Sequence, residues 1–217
     1  MNVLDKIKLF IFDMDGTIFK GSNFWLELHK EYGNADEALA FYIKHELLSY
    51  PSLFEKMVKK YWKGKSAILF EEVIRTREYN YNVVNLHKLV KGLGIKTAII
   101  TSGPQMLAQR AQCEMGVNYI YANEIEVKEG KFTGECSVVV DNNNKLEIAE
   151  KLIQDLQINW SEVGFIGDAE NDIGIAGKTY LSIAYNSKSN KLERNSLYVF
   201  DDEELYRFNE SLMSKYN

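Results

Sequence analysis

The feature that most constrains the fold is a repeated unit: a short apolar run, a polar cluster and then a helical stretch. Such runs span Lys8 to Phe12 before DMDGT, Lys96 to Ile100 before TSGPQ, and Val163 to Ile166 before GDAEND, with YLSIAY and LYVF further along. Strands that alternate with helices at these lengths predict an α/β fold, a doubly wound (Rossmann-like) parallel sheet covered on both faces. Ligands of such sheets bind beyond the carboxyl ends of the strands, where each of these polar clusters lies.

Two segments depart from this pattern. Between about residues 18 and 85, apolar residues recur at three- and four-residue spacing without a convincing strand, which predicts a helical insertion. We therefore expect a small inserted helical cap domain at residues 18–85 and an α/β core domain formed by residues 1–17 and 86–217. The stretch from Glu124 to Gly134 alternates in polarity around a central Glu-Gly pair, which predicts a β-hairpin flap beside the sheet.

Composition and charge exclude several classes of function. A chain of 217 residues that is 46% hydrophobic can bury a large core, and its net charge of -5 offers no basic field for nucleic acid or an anionic membrane. Its two cysteines, Cys113 and Cys136, form no CxxC pair, which suits a reducing compartment. The amino-terminal apolar run stops at Asp13, too early for a signal peptide or a membrane span. We expect a cytoplasmic protein that acts on small molecules; no sequence feature indicates its oligomeric state.

Asp13 and Asp15 lie two residues apart, just beyond the first predicted strand. Carboxylates so placed repel each other and lose solvation, so a nearby cation is needed to keep both ionised. Mg²⁺ fits best, because it binds oxygen ligands and combines one or two carboxylates with waters and a substrate phosphate. A second acidic loop with Asp168 and Asp172 follows another strand and could complete the metal site. The alternative is that the Asp-Gly pair only forms a turn.

Two further clusters favour phosphate chemistry. Thr101, Ser102 and Gly103 stand at a strand-to-helix junction, where hydroxyl and backbone N–H groups bind phosphate oxygens, although a helix cap is the simpler interpretation of Thr101 or Ser102. Lys145 begins an amphipathic helix, where the helix dipole disfavours a cation by roughly 0.3–1 kcal/mol. A lysine that points at a phosphate would justify that position.

Taken in order, these groups resemble the four motifs of the haloacid dehalogenase superfamily of phosphohydrolases. The motifs read Asp13-Met-Asp15-Gly16-Thr17, Thr101-Ser102-Gly103, Lys145, and Gly167-Asp168-Ala-Glu-Asn171-Asp172. More narrowly, the chain is similar to the phosphoserine phosphatase-like branch, which carries a small helical cap after the first motif. The resemblance covers nearly the whole chain.

The resemblance implies a role for each motif. Asp13 would be the nucleophile that forms an aspartyl-phosphate, and Asp15 would be the general acid and then the general base. Mg²⁺ would be held by the Asp13 carboxylate, the Asp15 backbone carbonyl and Asp168, with Asp172 reaching it directly or through water. The phosphoryl oxygens would be held by Thr101, the N–H groups of Ser102 and Gly16, and Lys145. Asn171 would orient Lys145 or the phosphate; a helix-capping role is the alternative for this asparagine.

The resemblance is weakest where it would define the substrate. Phosphoserine-specific members use a cap glutamate for the substrate amine, and the corresponding position here is Ser22. They use a cap arginine for the carboxylate, and none occurs between Gly21 and Ile74. Lysines of the cap could substitute, without the planar fork that grips a carboxylate; the candidates are Lys56, Lys59 and Lys60. Phe24 and Trp25 could face an apolar, sugar or quaternary-ammonium portion of the substrate instead.

Three functions are compatible with these motifs. The first is a Mg²⁺-dependent phosphomonoester hydrolase that acts on a small phosphorylated metabolite. The second is a phosphotransferase in which an alcohol replaces water as the acceptor. The third is a binding protein without catalysis on the same fold, against which the joint presence of all the acidic and basic motif residues argues.

Overall fold

A seven-stranded sheet forms the framework of the computed structural model, which describes residues 3–216. The strands are β1 Leu9–Phe12, β2 Lys96–Pro104, β3 Tyr119–Lys128, β4 Lys131–Ser137, β5 Val163–Gly167, β6 Leu181–Tyr185 and β7 Tyr198–Phe200. Their order in the sheet is β4-β3-β2-β1-β5-β6-β7, and every neighbouring pair is parallel except β3 with β4. The predicted doubly wound α/β fold is confirmed.

Ten helices are described in the same range. They are α1 Phe24–Glu31, α2 Ala35–Lys44, α3 Tyr50–Tyr61, α4 Ile68–Thr76, α5 Tyr81–Gly92, α6 Gln105–Met115, α7 Lys145–Asp155, α8 Ile173–Ala176, α9 Asn190–Arg194 and α10 Asp202–Tyr216. Short 3-10 turns occupy Val3–Lys6, Trp160–Glu162 and Glu170–Asp172. No helix among the described residues has both the length and the apolar character that crossing a membrane requires.

The central strand β1 is buried on both faces. Phe10 and Phe12 belong to one hydrophobic cluster, whereas Leu9 and Ile11 belong to a second cluster that includes residues of α7. Successive side chains of a strand point to opposite faces, so these four residues divide between two cores. β1 pairs with β2 on one side and β5 on the other, which brings the ends of all three strands to one edge.

Helices α1 to α4 occupy the predicted insertion, and two adjacent linkers join them to the sheet. The Lys20 N–H donates to Glu78 O at 2.8 Å, and the Asn80 N–H donates to Ile18 O at 2.8 Å. The predicted boundary after residue 85 falls inside α5, which is continuous from Tyr81 to Gly92. The division of the chain into two domains remains a prediction.

The predicted flap is a hairpin between β3 and β4 that also extends the sheet. Its turn contains Glu129 and Gly130, both with positive φ, at the Glu-Gly pair that predicts it. The hairpin contacts the cap segment through hydrogen bonds from Gly64 N–H to Phe132 O and from Ala67 N–H to Gly130 O, each 2.8 Å long. The cap helices are thereby held to the sheet at a second place besides the linkers.

Candidate active site

Several of the predicted site residues lie together at the carboxyl edge of the sheet. Asp13 follows β1, Asp168 and Asp172 follow β5, and Lys145 is the first residue of α7. The Lys145 ammonium lies 2.6 Å from Asp13 Oδ1 and 2.7 Å from Asp172 Oδ1, and all three side chains are nearly fully buried. Three segments that are far apart in sequence therefore build one charged centre.

This centre carries more negative than positive charge. One carboxylate oxygen from each of Asp13, Asp168 and Asp172 lies within 4.8 Å of the others, and Lys145 is the ammonium that contacts two of them. Burial and the charges of Asp13 and Asp172 raise the pKa of Asp168. Burial alone would lower the pKa of Lys145, but the neighbouring carboxylates of Asp13 and Asp172 raise it by a larger amount. The net pKa lies above the usual value for lysine, so the ammonium stays charged. A hard divalent cation would balance the remaining charge and suits an all-oxygen donor set.

Gly16 allows the first loop to approach the second. Its φ is +80°, and a side chain there would collide with the Asp168 carboxylate. The Thr17 hydroxyl donates to Asp168 Oδ1 at 3.4 Å. The Gly16 N–H donates to Phe19 O at 2.9 Å. The resemblance implies a phosphate contact for this N–H, and that contact stays a prediction; in the structure the N–H is bonded within its own loop.

The Thr101-Ser102-Gly103 segment is strand backbone, because β2 continues to Pro104. The residue that caps α6 is Pro104, without a side-chain cap, so the helix-cap interpretation of Thr101 or Ser102 is wrong. The Thr101 hydroxyl accepts from Gly103 N–H at 3.0 Å and keeps its own proton for a ligand. Ser102 O accepts from Trp25 Nε1 at 2.8 Å and from Asn123 Nδ2 at 3.0 Å, which fixes the loop.

Asp15 points away from the carboxylate cluster into a separate network. Its Oδ2 accepts from Phe24 N–H at 3.0 Å, and its Oδ1 lies 3.3 Å from Arg77 Nη2. Burial raises the pKa of Asp15, while the Arg77 guanidinium acts in the opposite direction. A carboxyl group with a raised pKa that stands apart from the other acidic groups suits a proton donor.

Arg77 lies beside Asp15 and is not among the residues that the sequence motifs single out. It is 6% exposed, its Nη1 lies 2.8 Å from Glu27 Oε2, and it donates to the carbonyl oxygens of Lys20 and Ser22. The stretch without arginine runs from Gly21 to Ile74, whereas Arg77 lies in the linker that leaves the cap. The sequence signal that could have identified it is an arginine placed just after the last predicted cap helix, where the chain returns to the sheet domain.

A cavity of about 660 Å³ opens above these groups. Its wall includes seven of the predicted site residues: Asp13, Asp15, Gly16, Thr101, Ser102, Asp168 and Asn171. Lys20 and Lys188 also line it.

Asn171 Oδ1 is buried without a hydrogen-bond partner among the described residues, and the residues that cap the neighbouring helical turns are Ala169 and Asp172. Asn171 is therefore not a helix cap, and its amide remains available to a ligand.

The cap residues considered as phosphoserine contacts are either bonded to other cap residues or outside the walls of the site. The N–H and hydroxyl of Ser22 both donate to Glu27 Oε1, at 2.7 and 3.2 Å, and Glu27 is paired with Arg77. Lys59 pairs with Glu55, and Lys60 lies over the Phe41 ring. Neither lysine, nor Lys56, belongs to the wall of the 660 Å³ cavity or of a second cavity of about 310 Å³ that lies between α1, α2 and α3.

An open α/β sheet with clustered acidic residues at its carboxyl edge and helices inserted after the first strand is typical of one class of hydrolases. A family model of haloacid dehalogenase-like hydrolases matches residues 10–177. The chain belongs to this family, in the branch that includes the phosphoserine phosphatases.

Curated relatives and solved structures support that branch. A phosphoserine phosphatase of Archaeoglobus fulgidus is 27% identical over 83% of this chain, which spans 53% of that protein's length. One from Methanocaldococcus jannaschii is 28% identical over 84% of this chain and 87% of its own. A substrate-bound phosphoserine phosphatase complex superposes with a TM-score of 0.76 at 25% identity, covering 93% of this chain and 98% of that one. A phospho-aspartyl intermediate analogue of phosphoserine phosphatase gives 0.76 at 26% identity, covering 94% and 99%.

Proposed function

We propose that this protein is a Mg²⁺-dependent phosphomonoester phosphatase that works through an aspartyl-phosphate on Asp13. The observation that carries the proposal is the separation of the two aspartates of the first motif. Asp13 lies in the carboxylate cluster beside Lys145, whereas Asp15 is held away from it by Phe24 N–H and Arg77. This separation supports the assignment of bonding to phosphorus to one carboxylate and of proton transfer to the other.

In the first half-reaction, an Asp13 carboxylate oxygen attacks phosphorus as the bond from phosphorus to the ester oxygen breaks. The departing alkoxide takes a proton from Asp15, so an alcohol leaves. In the second half-reaction, Asp15 removes a proton from water as that water attacks phosphorus, which releases inorganic phosphate and restores the Asp13 carboxylate. Burial of Asp15, which raises its pKa, favours the protonated form that the first step requires.

The residues that would hold Mg²⁺ are Asp13, Asp168 and Asp172 through carboxylates and Asp15 through its carbonyl oxygen. The bound ion would reduce the repulsion between the phosphate and these carboxylates. The Thr101 hydroxyl, the Ser102 N–H and the Asn171 amide would contact phosphoryl oxygens, because all three residues line the cavity. Lys145 would hold the carboxylates of Asp13 and Asp172 in position through its two ion pairs. It would donate its remaining N–H to the phosphoryl group.

The test is phosphate release from p-nitrophenyl phosphate, a small generic phosphomonoester, and from acetyl phosphate, a small acyl phosphate, in the presence of Mg²⁺. We expect turnover that EDTA abolishes and added Mg²⁺ restores. The Asp13→Asn variant should lose at least about a thousandfold in kcat, whereas Asp36→Asn, at an exposed carboxyl of α2, should match the parent. Equal turnover by Asp13→Asn and the parent would exclude the covalent mechanism. Addition of primary alcohols, with phosphate transfer measured beside phosphate release, separates a hydrolase from a transferase.

A further inference from the structure

A second cavity, of about 310 Å³, lies inside the cap among residues of α1, α2 and α3. It adjoins the active-site cavity, because Asn23 and Ser102 line both. Ser102 belongs to the predicted phosphate-binding segment, so the second cavity begins directly beside that segment. Its position suits the group that the phosphate is attached to.

Aromatic rings form much of the wall of this cap cavity. Trp25, Tyr42, Tyr50 and Phe54 contribute to it. The Trp25 and Phe54 ring centroids are 4.9 Å apart in an edge-on arrangement, and those of Tyr50 and Phe54 are 6.0 Å apart and nearly parallel. The bond from Trp25 Nε1 to Ser102 O, 2.8 Å long, attaches this wall to the phosphate-binding segment. Rings held by one another and by the backbone form a preorganised apolar pocket.

None of the described residues that line the cap cavity carries a formal charge at neutral pH. Burial lowers the pKa of His29, which keeps its imidazole neutral. Burial raises the pKa of Tyr50 to about 12, so its phenol keeps its proton. A carboxylate transferred into this cavity would lose hydration and find no cationic partner, and an ammonium would find only ring faces and no carboxylate. The cavity therefore disfavours the zwitterionic portion of phosphoserine.

Apolar side chains at the rim of the cap cavity remain partly exposed to solvent. Leu39 is 54% exposed and Tyr42 is 43% exposed, and both belong to the wall. An apolar group that enters from the phosphate site would cover part of this surface and gain free energy by leaving water.

We propose that the cap cavity binds the alcohol portion of the substrate, and that this portion is uncharged and apolar, of the size of one aromatic ring with a short linker. The inference rests on the proposed phosphatase activity and names the class of ester on which that activity acts. It assigns selectivity to the rings and aliphatic side chains of α1, α2 and α3, with Trp25 as the link between alcohol and phosphate sites.

The experiment compares esters of primary alcohols, so that the leaving oxygen is chemically similar throughout. The substrates are 2-phenylethyl phosphate, ethyl phosphate, O-phosphoserine and phosphocholine, each assayed for kcat/KM with saturating Mg²⁺. The parent protein should hydrolyse 2-phenylethyl phosphate at least tenfold more efficiently than ethyl phosphate. The two charged esters should be no better than ethyl phosphate.

A matched pair of variants on α2 tests whether the cap cavity is responsible. Leu39 lies in the wall, whereas Ile43, one turn further along and 58% exposed, does not. Leu39→Glu should lower the kcat/KM ratio of 2-phenylethyl to ethyl phosphate at least fivefold, and Ile43→Glu should keep the parental ratio. Thermal unfolding checks that both variants are folded.

The outcomes separate this inference from the proposed function. A preference for O-phosphoserine or phosphocholine, or an unchanged ratio in Leu39→Glu, would overturn the apolar assignment while leaving the phosphatase activity in place. Absence of phosphate release from every ester and from acetyl phosphate would overturn both. The expected preference together with its loss in Leu39→Glu alone would support the assignment.

Discussion

The Lys145 ammonium lies 2.6 Å from Asp13 Oδ1, although 132 residues separate them in sequence. The same ammonium lies 2.7 Å from Asp172 Oδ1. Lys145 therefore neutralises part of the charge of two buried carboxylates and fixes the group proposed to attack phosphorus. The helix dipole disfavours a cation at this first position of α7, and these two ion pairs offset that cost.

Replacement of this lysine should damage both activity and stability. Lys145→Met leaves Asp13 and Asp172 without their buried cation, which typically costs about 3–5 kcal/mol of unfolding free energy, and we expect kcat to fall at least about a hundredfold. Urea unfolding at pH 8 in EDTA and steady-state kinetics in Mg²⁺ measure the two effects. Lys151→Met, at an exposed position of the same helix, is the control. Parental kcat in Lys145→Met would contradict the assigned role.

Arg77 is expected to act as a positioning residue for Asp15. Arg77→Ala removes the guanidinium that lies 3.3 Å from Asp15 Oδ1 and should lower kcat about 10- to 100-fold, with a smaller change in KM. Arg77→Lys should recover part of the loss. Arg75→Ala removes an exposed arginine two residues earlier that pairs with Glu72, and its kinetics should match the parent. Equal kcat for Arg77→Ala and Arg75→Ala would exclude this role.

Stabilisation by Mg²⁺ should increase with pH. Burial and neighbouring carboxylates raise the pKa of Asp168 to about 8 in the metal-free protein. A carboxyl group whose pKa is higher in the folded chain favours folding below its unfolded pKa of about 4, and that contribution is lost as pH rises through the folded value. Metal-free Tm should therefore fall toward pH 8, and the Tm gain on adding Mg²⁺ should be larger at pH 8 than at pH 5. Asp168→Asn should flatten this trend; a gain independent of pH in the parent would contradict it.

His87 should make the fold sensitive to acid. It is fully buried against Phe12, and burial lowers its pKa to about 4. Below the unfolded pKa of about 6.5, His87 binds a proton in the unfolded chain but not in the folded chain. The free energy of unfolding therefore decreases as the pH falls toward 4, by up to about 3 kcal/mol. Urea unfolding at pH 4.5 and pH 7 should show a smaller difference for His87→Leu than for the parent. The same difference in both proteins would exclude His87 as the cause.

The order of strands and helices could be predicted from the sequence because the burial of a strand or helix determines the pattern of apolar residues within that short segment. The run from Leu9 to Phe12 is apolar at every position, as a strand buried on both faces requires, and β1 is central in the sheet. Parallel strands end at one edge, so polar residues after β1 and β5 had to meet there. The cluster of Asp13 with Asp168 and Asp172 follows from that topology.

The missed features depend on packing between distant segments. Arg77 meets Asp15 because the two linkers of the cap run side by side, which no periodicity encodes. The cap cavity depends on the angles between α1, α2 and α3, whereas the sequence shows only that their aromatic residues can pack. The wrong helix-cap interpretation of Thr101 arose because β2 extends to Pro104, beyond the apolar run that marks the strand in sequence.

The phosphorylated form of Asp13 tests the central claim most directly. The protein is mixed with acetyl phosphate and Mg²⁺, quenched in acid within milliseconds, digested and analysed by mass spectrometry. We predict a phosphate on the peptide that contains Asp13, removable by hydroxylamine and absent from Asp13→Asn. Turnover of acetyl phosphate with the phosphate on another residue, or with no phosphoenzyme under conditions that trap it in a related phosphatase assayed in parallel, would contradict the account.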